Sequence, residues 1–275
     1  MQHHAFRIAI DIRDHAIPAC CCVNSDQTGK TYSQPGASTY DPIGTNQVTV
    51  VGKEAKQAFT IMVGVSTSGQ VLPFQIMYAG KTSGSLPEIN KPSLEFKDAN
   101  DEAKRLQFRF EWTGIPGNHW SNLETMKSYV RNILSVYFVE QQALLKRSNQ
   151  VCVWTIDCWS IHHLQEFRDW MRENYPWILV RYVPGGCTGI FQPCDVGIQR
   201  ILKHAMKKTA LSHIVKETVA HLNNDKDPGT IILAKGVKVL RNQSVEWLVQ
   251  GYKAINTPDI VKKVCPSCNS YMKPL

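Results

Sequence analysis

Three aspartates stand where the patterning of the chain lets acids converge. Asp26 closes the apolar run IPACCCVNS (17–25), Asp157 follows VCVWTI (151–156), and Asp195 opens a long helical stretch. Carboxylates at the C-terminal ends of two strands and at a helix start can meet at one edge of a sheet. Hard divalent cations such as Mg²⁺ or Mn²⁺ take oxygen ligands, and two of them roughly 3.5–4 Å apart clamp the attacking and leaving oxygens of a phosphodiester. Without cations, three such acids would repel one another. Any domain of this size carries a few acids at strand ends, so placement alone does not separate metal ligands from solvated carboxylates.

The elements that must position these acids follow from hydrophobic period and turn chemistry. A buried strand over 17–25 is expected to end at Asp26, in the polar turn DQTGK. After the turn-rich SQPGASTYDPIGTN come three β-rich runs, QVTVVG, AFTIMVGVS and VLPFQIMYAG, which read as an antiparallel meander. Residues 81–119 show no sustained period and are expected to be an insertion or long surface loop with a short helix around 101–106. From Ser121 or Asn122, either of which suits an N-cap, apolar residues recur at three- and four-residue spacing to about Lys146, predicting an amphipathic helix. VCVWTI reads as a central strand covered on both faces, 164–174 as a helix, and ILVRYV (178–183) as a strand ended by the loop PGGCTGIFQPCD. A helix over 196–222 then places Arg200, Lys203 and Lys207 on one face, with Lys208 near its edge. Strands first in a meander and then alternating with helices imply an α/β sheet of mixed direction.

The chain has 275 residues, 43% hydrophobic and 20% charged, an ordinary globular balance. It has no apolar run of the roughly 18 residues a membrane span needs, and Asp11, Arg13 and Asp14 fall where a secretory signal would be apolar. Nine cysteines, three of them adjacent in an apolar run (Cys20, Cys21, Cys22), do not suggest a disulfide framework, so the thiols are expected reduced and the compartment intracellular. The net charge of +8 is uneven: residues 1–195 carry 18 basic and 18 acidic side chains, and residues 196–275 carry 13 and 5. Such asymmetry suits a polyanionic partner, nucleic acid before membrane, with a solvated basic helix face as the alternative.

Other candidates carry less. Cys265 and Cys268 form one CPSC word, half of a zinc site, with only seven residues after it. Gly185, Gly186 and Gly189 allow a loop whose amides approach a phosphate, or simply a connection that needs positive φ. The Gln192-Pro193 pair fixes the entry to the helix that carries Asp195, Pro193 being suited to precede a helix. Six of the seven tryptophans read as core or loop anchors, while Trp159, two residues after Asp157, is kept as a substrate contact.

The words around the acids add a resemblance. VNSDQTGK (23–30), TIDCWSIHH (155–163) and VPGGCTGIFQPCDVGIQRILK (183–203) resemble, in order, the three acidic motifs of DDE superfamily transposases, in particular the Pogo, Tigger and jerky-like group, whose third acid is Asp. GTNQVTVVGKEAKQAFTIMVGVSTSGQVLPFQIMYAGKT and HWSNLETMKSYVRNIL are similar to the stretches between the first two motifs there, so the resemblance spans about residues 8–222.

The resemblance implies an RNase H-like mixed sheet in a catalytic domain over 1–222, followed by a basic, helical C-terminal extension over 223–275. It implies a DNA endonuclease and strand-transfer activity in which Asp26, Asp157 and Asp195 bind two Mg²⁺ or Mn²⁺ ions, Asp26 bridging them. His162 stands where the family has a His five residues after its second acid, and would contact substrate or orient Asp157; a solvent-facing residue at a helix start is its plainer reading. Arg200, Lys203, Lys207 and Lys208 are then expected on DNA, together with Trp159 and His162. The expected partner is DNA, the expected location the nucleus, and a homodimer is compatible; no membrane or small-molecule substrate is expected. Two departures qualify this. The family places helix-turn-helix modules before the catalytic domain, and about 17 residues precede the first predicted strand, which suggests a truncated or domesticated form; Cys158 replaces a common Asn. Two rivals are an inactive nucleic-acid-binding protein that retains the fold and an RNase H-like nuclease acting on RNA or hybrids.

Overall fold

Alternation along AFTIMVGVS decides how the sheet is covered. Phe59, Ile61, Val63 and Val65 point to one face and pack with Ile198, Leu202, Met206 and Leu248, while Met62 points to the other and packs with Tyr129, Val130 and Trp154. The sheet is thus buried on both faces, each against its own helical layer. This is a computed structural model, and it describes residues 2–32, 58–90, 92–158, 164–187, 192–224 and 236–264. The strand expected at QVTVVG, and Gly189, Trp159, His162, Cys265 and Cys268, lie outside the described residues.

Among the described residues six strands form one sheet: β1 (Cys22–Thr31), β2 (Ala58–Ser66), β3 (Gln75–Tyr78), β4 (Arg109–Trp112), β5 (Cys152–Asp157) and β6 (Ile178–Val183), in the spatial order β4-β3-β2-β1-β5-β6. β2 is antiparallel to both β1 and β3, whereas the β3–β4, β1–β5 and β5–β6 pairs are parallel. A meander feeding parallel strands through helical crossovers gives the expected α/β architecture, an RNase H-like mixed sheet.

Among the described residues the helices are α1 (Gln2–Asp14), α2 (Lys97–Arg105), α3 (Leu123–Tyr129), α4 (Ser135–Leu144), α5 (Gln165–Asn174), α6 (Gln199–Leu222), α7 (Val237–Ile255) and α8 (Pro258–Val264). A π turn over Val130–Leu134 joins α3 to α4, and another over Cys194–Ile198 leads into α6. Asn122 caps α3 in a reciprocal box with Thr125, each side chain accepting the other's backbone N–H at 2.9 Å. Arg181 of β6 makes a bidentate pair with Asp11 of α1, at 2.6 and 2.8 Å, which seats the N-terminal helix beside the sheet.

Three expectations change. The first strand does not end at Asp26: Ala19–Cys21 form a short 3₁₀ turn, and β1 runs on through DQTGK to Thr31, paired residue for residue with β2. The tripeptide Thr28, Gly29, Lys30 looked like a turn because it is polar, but cross-strand pairing overrides that propensity. The stretch 81–119 contributes an edge strand, β4, as well as α2; Glu111, half-buried there, accepts from Gln75 at 3.0 Å and from Ser128. Residues beyond 222 are not an appendage either. Trp247, Leu248, Tyr252 and Ile255 of α7 and Val261 of α8 belong to the same core as Phe59, Phe74 and Tyr78 of the sheet. α6 and α7 approach closely because residue 251 is Gly: a Cβ there would lie 2.6 Å from a Leu202 methyl.

Candidate active site

Asp26 lies on β1 one step beyond Ser25, the last residue of the β1–β5 ladder, which pairs with Ile156. Register therefore sets Asp157, the final residue of β5, level with Asp26 on the neighbouring strand, about 4.8 Å away in the pairing direction. Both acids belong to the face of the sheet that α6 covers. Asp195 reaches the same place from the π turn that precedes α6, where its own N–H and that of Val196 both bond the Gln192 carbonyl at 3.0 Å. A carboxylate in the first turn of a helix also meets the positive end of the helix dipole.

A buried polar network fixes the 192–195 segment to β1. Asn24 donates from Nδ2 to the Thr155 carbonyl at 3.2 Å and to Gln192 Oε1 at 3.5 Å, and its Oδ1 accepts from the Cys194 N–H at 3.3 Å. Gln192 in turn donates to the Ser25 carbonyl at 3.2 Å. The strand that carries Asp26, the strand that carries Asp157 and the turn that carries Asp195 are thus held through two amide side chains. On the opposite face Ser25 accepts from Trp154 Nε1 at 3.0 Å and bonds the Tyr129 hydroxyl at 2.8 Å, so the backbone beside Asp26 is held from below as well. Fully satisfied buried networks of this kind make a site rigid.

The carboxylate of Asp26 is 6% exposed. It accepts from the Gln27 N–H at 2.8 Å through Oδ1 and from Gln199 Nε2 at 2.5 Å through Oδ2. Burial first, and then the like charges of Asp157 and Asp195, push its pKa up to about 7. The structure thus brings the three sequence-picked aspartates into one electrostatic neighbourhood. It does not close them into a coordination shell: among the described residues no group of three His, Cys, Asp or Glu side chains is arranged to hold a metal ion. The donor chemistry fits a hard divalent cation, because the set is all carboxylate oxygen and the repulsion that raises Asp26 is what a cation relieves. The Gln199 amide is placed to orient the Asp26 carboxylate, as hydrogen bonds to ligating carboxylates do.

Arg200, Lys203, Lys207 and Lys208 are exposed along the first turns of α6. Cys194 and Cys187 are buried thiols, and Gly186 takes a positive φ of 73° in the loop after β6. Sequence reasoning missed Asn24 and Gln199, and read Gln192, with Pro193, only as the entry to the helix of Asp195. Gln199 was accessible by helical spacing, four residues after Asp195 and so on the same side of the helix. Asn24 was equally accessible, two residues before Asp26 and on the same face of β1.

A family model for the DDE superfamily endonucleases matches residues 56–263, and the chain belongs to that family. The matched segment includes Asp157 and Asp195 and begins after Asp26. Among solved structures the chain is similar to the catalytic domain of Mos1 mariner transposase, at 11% identity and a TM-score of 0.43, covering 99% of this chain and 92% of that one. It is also similar to a pre-cleavage Mos1 transpososome (12% identity, TM-score 0.45, 99% and 62% covered) and to a Mos1 paired-end complex with Mn (12%, 0.44, 98% and 62%). The chain thus spans about three fifths of the transposase chains in those complexes.

Proposed function

We propose that this chain cleaves DNA and transfers strands in the manner of a transposase, with Asp26, Asp157 and Asp195 holding two Mg²⁺ or Mn²⁺ ions. The observation that carries the reading is Asp26: a nearly buried carboxylate, level with Asp157, crowded by two further acids and held near pH 7 between its charge states. An uncompensated acid cluster costs stability unless a cation or a proton relieves it. When bound, the metal supplies Lewis-acid stabilisation of charge developing on the phosphodiester oxygens. The chain's own part is to set the ligand oxygens. Asn24 and Gln192 lock the turn of Asp195 against β1, and Gln199 orients the Asp26 carboxylate that would hold the metal. Arg200, Lys203, Lys207 and Lys208 supply phosphate contacts that place the DNA without reading its bases. Trp159 and His162 stay in the reading as substrate contacts by their sequence positions after Asp157. A nuclear location follows from a DNA substrate; among the described residues no helix is long and apolar enough to cross a membrane.

One observation favours a second reading, a DNA-binding protein that has lost the reaction: Gln199 occupies Asp26, and the acids do not close into a metal-binding set. Incubating the chain with supercoiled plasmid in Mg²⁺, in Mn²⁺ and in excess chelator separates the two. Metal-dependent nicked circles support the first reading, and plasmid binding without nicking in either metal supports the second.

A further inference from the structure

Beyond Asp26, β1 overhangs the rest of its half of the sheet. Its ladder with β5 stops at Ser25, whereas its ladder with β2 continues to Thr31. Thr28 and Lys30 follow Asp26 at two-residue steps and so share its face of the sheet, and they are only 3% and 4% exposed. The Thr28 hydroxyl is buried without a hydrogen bond, and among the described residues no acid is a cause of the shift at Lys30. What faces Lys30 is more positive charge, from Lys203 and Lys207 of α6.

The two elements run in step. From Asp26 to Lys30 the strand rises about 13 Å at ~3.3 Å per residue. From Gln199, which bonds Asp26, to Lys207 the helix rises about 12 Å at ~1.5 Å per residue. A buried lysine left among lysines is costly for a free protein. Burial first, then the charges of Lys207 and Lys203, hold its pKa down to about 8, the response of a cation that lacks an anion.

We propose that Thr28, Lys30, Lys203 and Lys207 form a phosphate subsite that takes a backbone phosphodiester of the DNA strand a few nucleotides from the bond at Asp26. The inference rests on the DNA reading above and adds to it a built anion site on β1 itself. The lysine charges would pair with the phosphate oxygens, and the Thr28 hydroxyl would donate to one of them. Its place on the same face as Asp26 makes it a register pin: one phosphate fixed here fixes which linkage reaches the acids.

The test compares the wild-type chain with Lys30→Met and Thr28→Val, using duplex oligonucleotides and inorganic phosphate as probes. Removing one phosphate contact should lower the salt slope of DNA binding by about 0.9, which amounts to about eightfold weaker binding at 0.1 M than expected from the 1 M value. Inorganic phosphate should raise the melting temperature of the wild type and much less that of either variant. Without phosphate, Lys30→Met should melt no lower than the wild type, because it removes an unpaired buried charge. A single neutral methylphosphonate linkage, stepped along the strand, should weaken wild-type binding at one position and have no such effect on Lys30→Met. Wild-type DNA binding with an unchanged slope in Lys30→Met would overturn the subsite while leaving the DNA reading intact. No DNA binding by the wild type, with phosphate still stabilising it through Lys30, would instead overturn the DNA reading and assign the site to a small phosphate. A loss of stability in phosphate-free Lys30→Met, with phosphate stabilising both variants as it does the wild type, would make Lys30 structural and overturn the proposal.

Discussion

Gln199 Nε2 donates to Oδ2 of Asp26 at 2.5 Å, across 173 residues of sequence, and so ties the first turn of α6 to the strand at the centre of the acid cluster. A hydrogen bond to a carboxylate favours its charged form and opposes the burial that raises it. Gln199→Leu removes one donor, leaving the Gln27 N–H and the burial, so the Asp26 midpoint should rise. Carboxyl-carbon NMR of the metal-free protein reads that midpoint directly, and an unmoved value would mean that the bond does not govern the acid.

The raised Asp26 also sets how stability depends on pH. Its carboxyl titrates near 4 in the unfolded chain and at about 7 when folded, so the folded state holds the proton more tightly. The stability this lends is fully present below pH 4 and is lost as the pH rises from about 4 through 7. Without divalent metal, the contribution at pH 8 should be lower than that at pH 4 by a few kcal/mol at most, at about 1.4 kcal/mol for each tenfold difference in proton affinity between the folded and unfolded chain. Asp26→Asn should flatten this part of the profile, and denaturant unfolding at pH 5 and pH 8 measures it. Equal slopes in the two proteins would place the titration elsewhere.

Metal binding should be linked to the same proton. With its pKa raised to about 7, Asp26 holds a proton well above the usual carboxylate range, and ligation needs the anion, so Mn²⁺ uptake near neutral pH should release protons. Calorimetry in two buffers of different ionisation enthalpy reports the number. Zero release at pH 7 would argue that Asp26 is not a ligand.

How much of this was legible in the sequence depends on which interaction decided each piece. The strands at Cys152–Asp157 and Ile178–Val183 were visible because their apolar runs are continuous and bounded by turn residues, and Asp157 was placed by the same logic. The second half of β1 was not visible. Thr28 and Lys30 are strand residues only because β2 pairs with them and the fold buries them, which no local window of DQTGK records. β4 was missed for a related reason: two of its four residues are charged, and Glu111 is accommodated by hydrogen bonds from Gln75 and Ser128, far away in sequence. The role of α7 was hidden by its basic neighbourhood, although Trp247, Leu248 and Tyr252 already had the spacing of a core-facing stripe.

The support beneath the site predicts a position on the neighbouring strand, paired with Ser25, where a small change should be felt. A Cβ on Gly64 would lie 2.6 Å from the Tyr129 hydroxyl and 3.3 Å from Leu72 Cβ, and Tyr129 is the partner of Ser25, next to Asp26. Gly64→Ala should destabilise the fold by about 1–3 kcal/mol through overpacking. Thermal unfolding checks the cost, and a variant as stable as the wild type would show that this layer has slack.

Whether the three aspartates work as a metal-binding unit on DNA is tested most directly by Asp157→Asn. Asn keeps the shape of the side chain, loses the anionic ligand and removes a negative charge that repels phosphate. Nicking of supercoiled plasmid in Mn²⁺ and Mg²⁺ should be abolished, while duplex affinity, measured in the same buffer, stays within a few-fold of the wild type or tightens. Full nicking by Asp157→Asn, beside a wild type that nicks only when metal is present, would contradict the metal-binding role and move the reaction away from these acids.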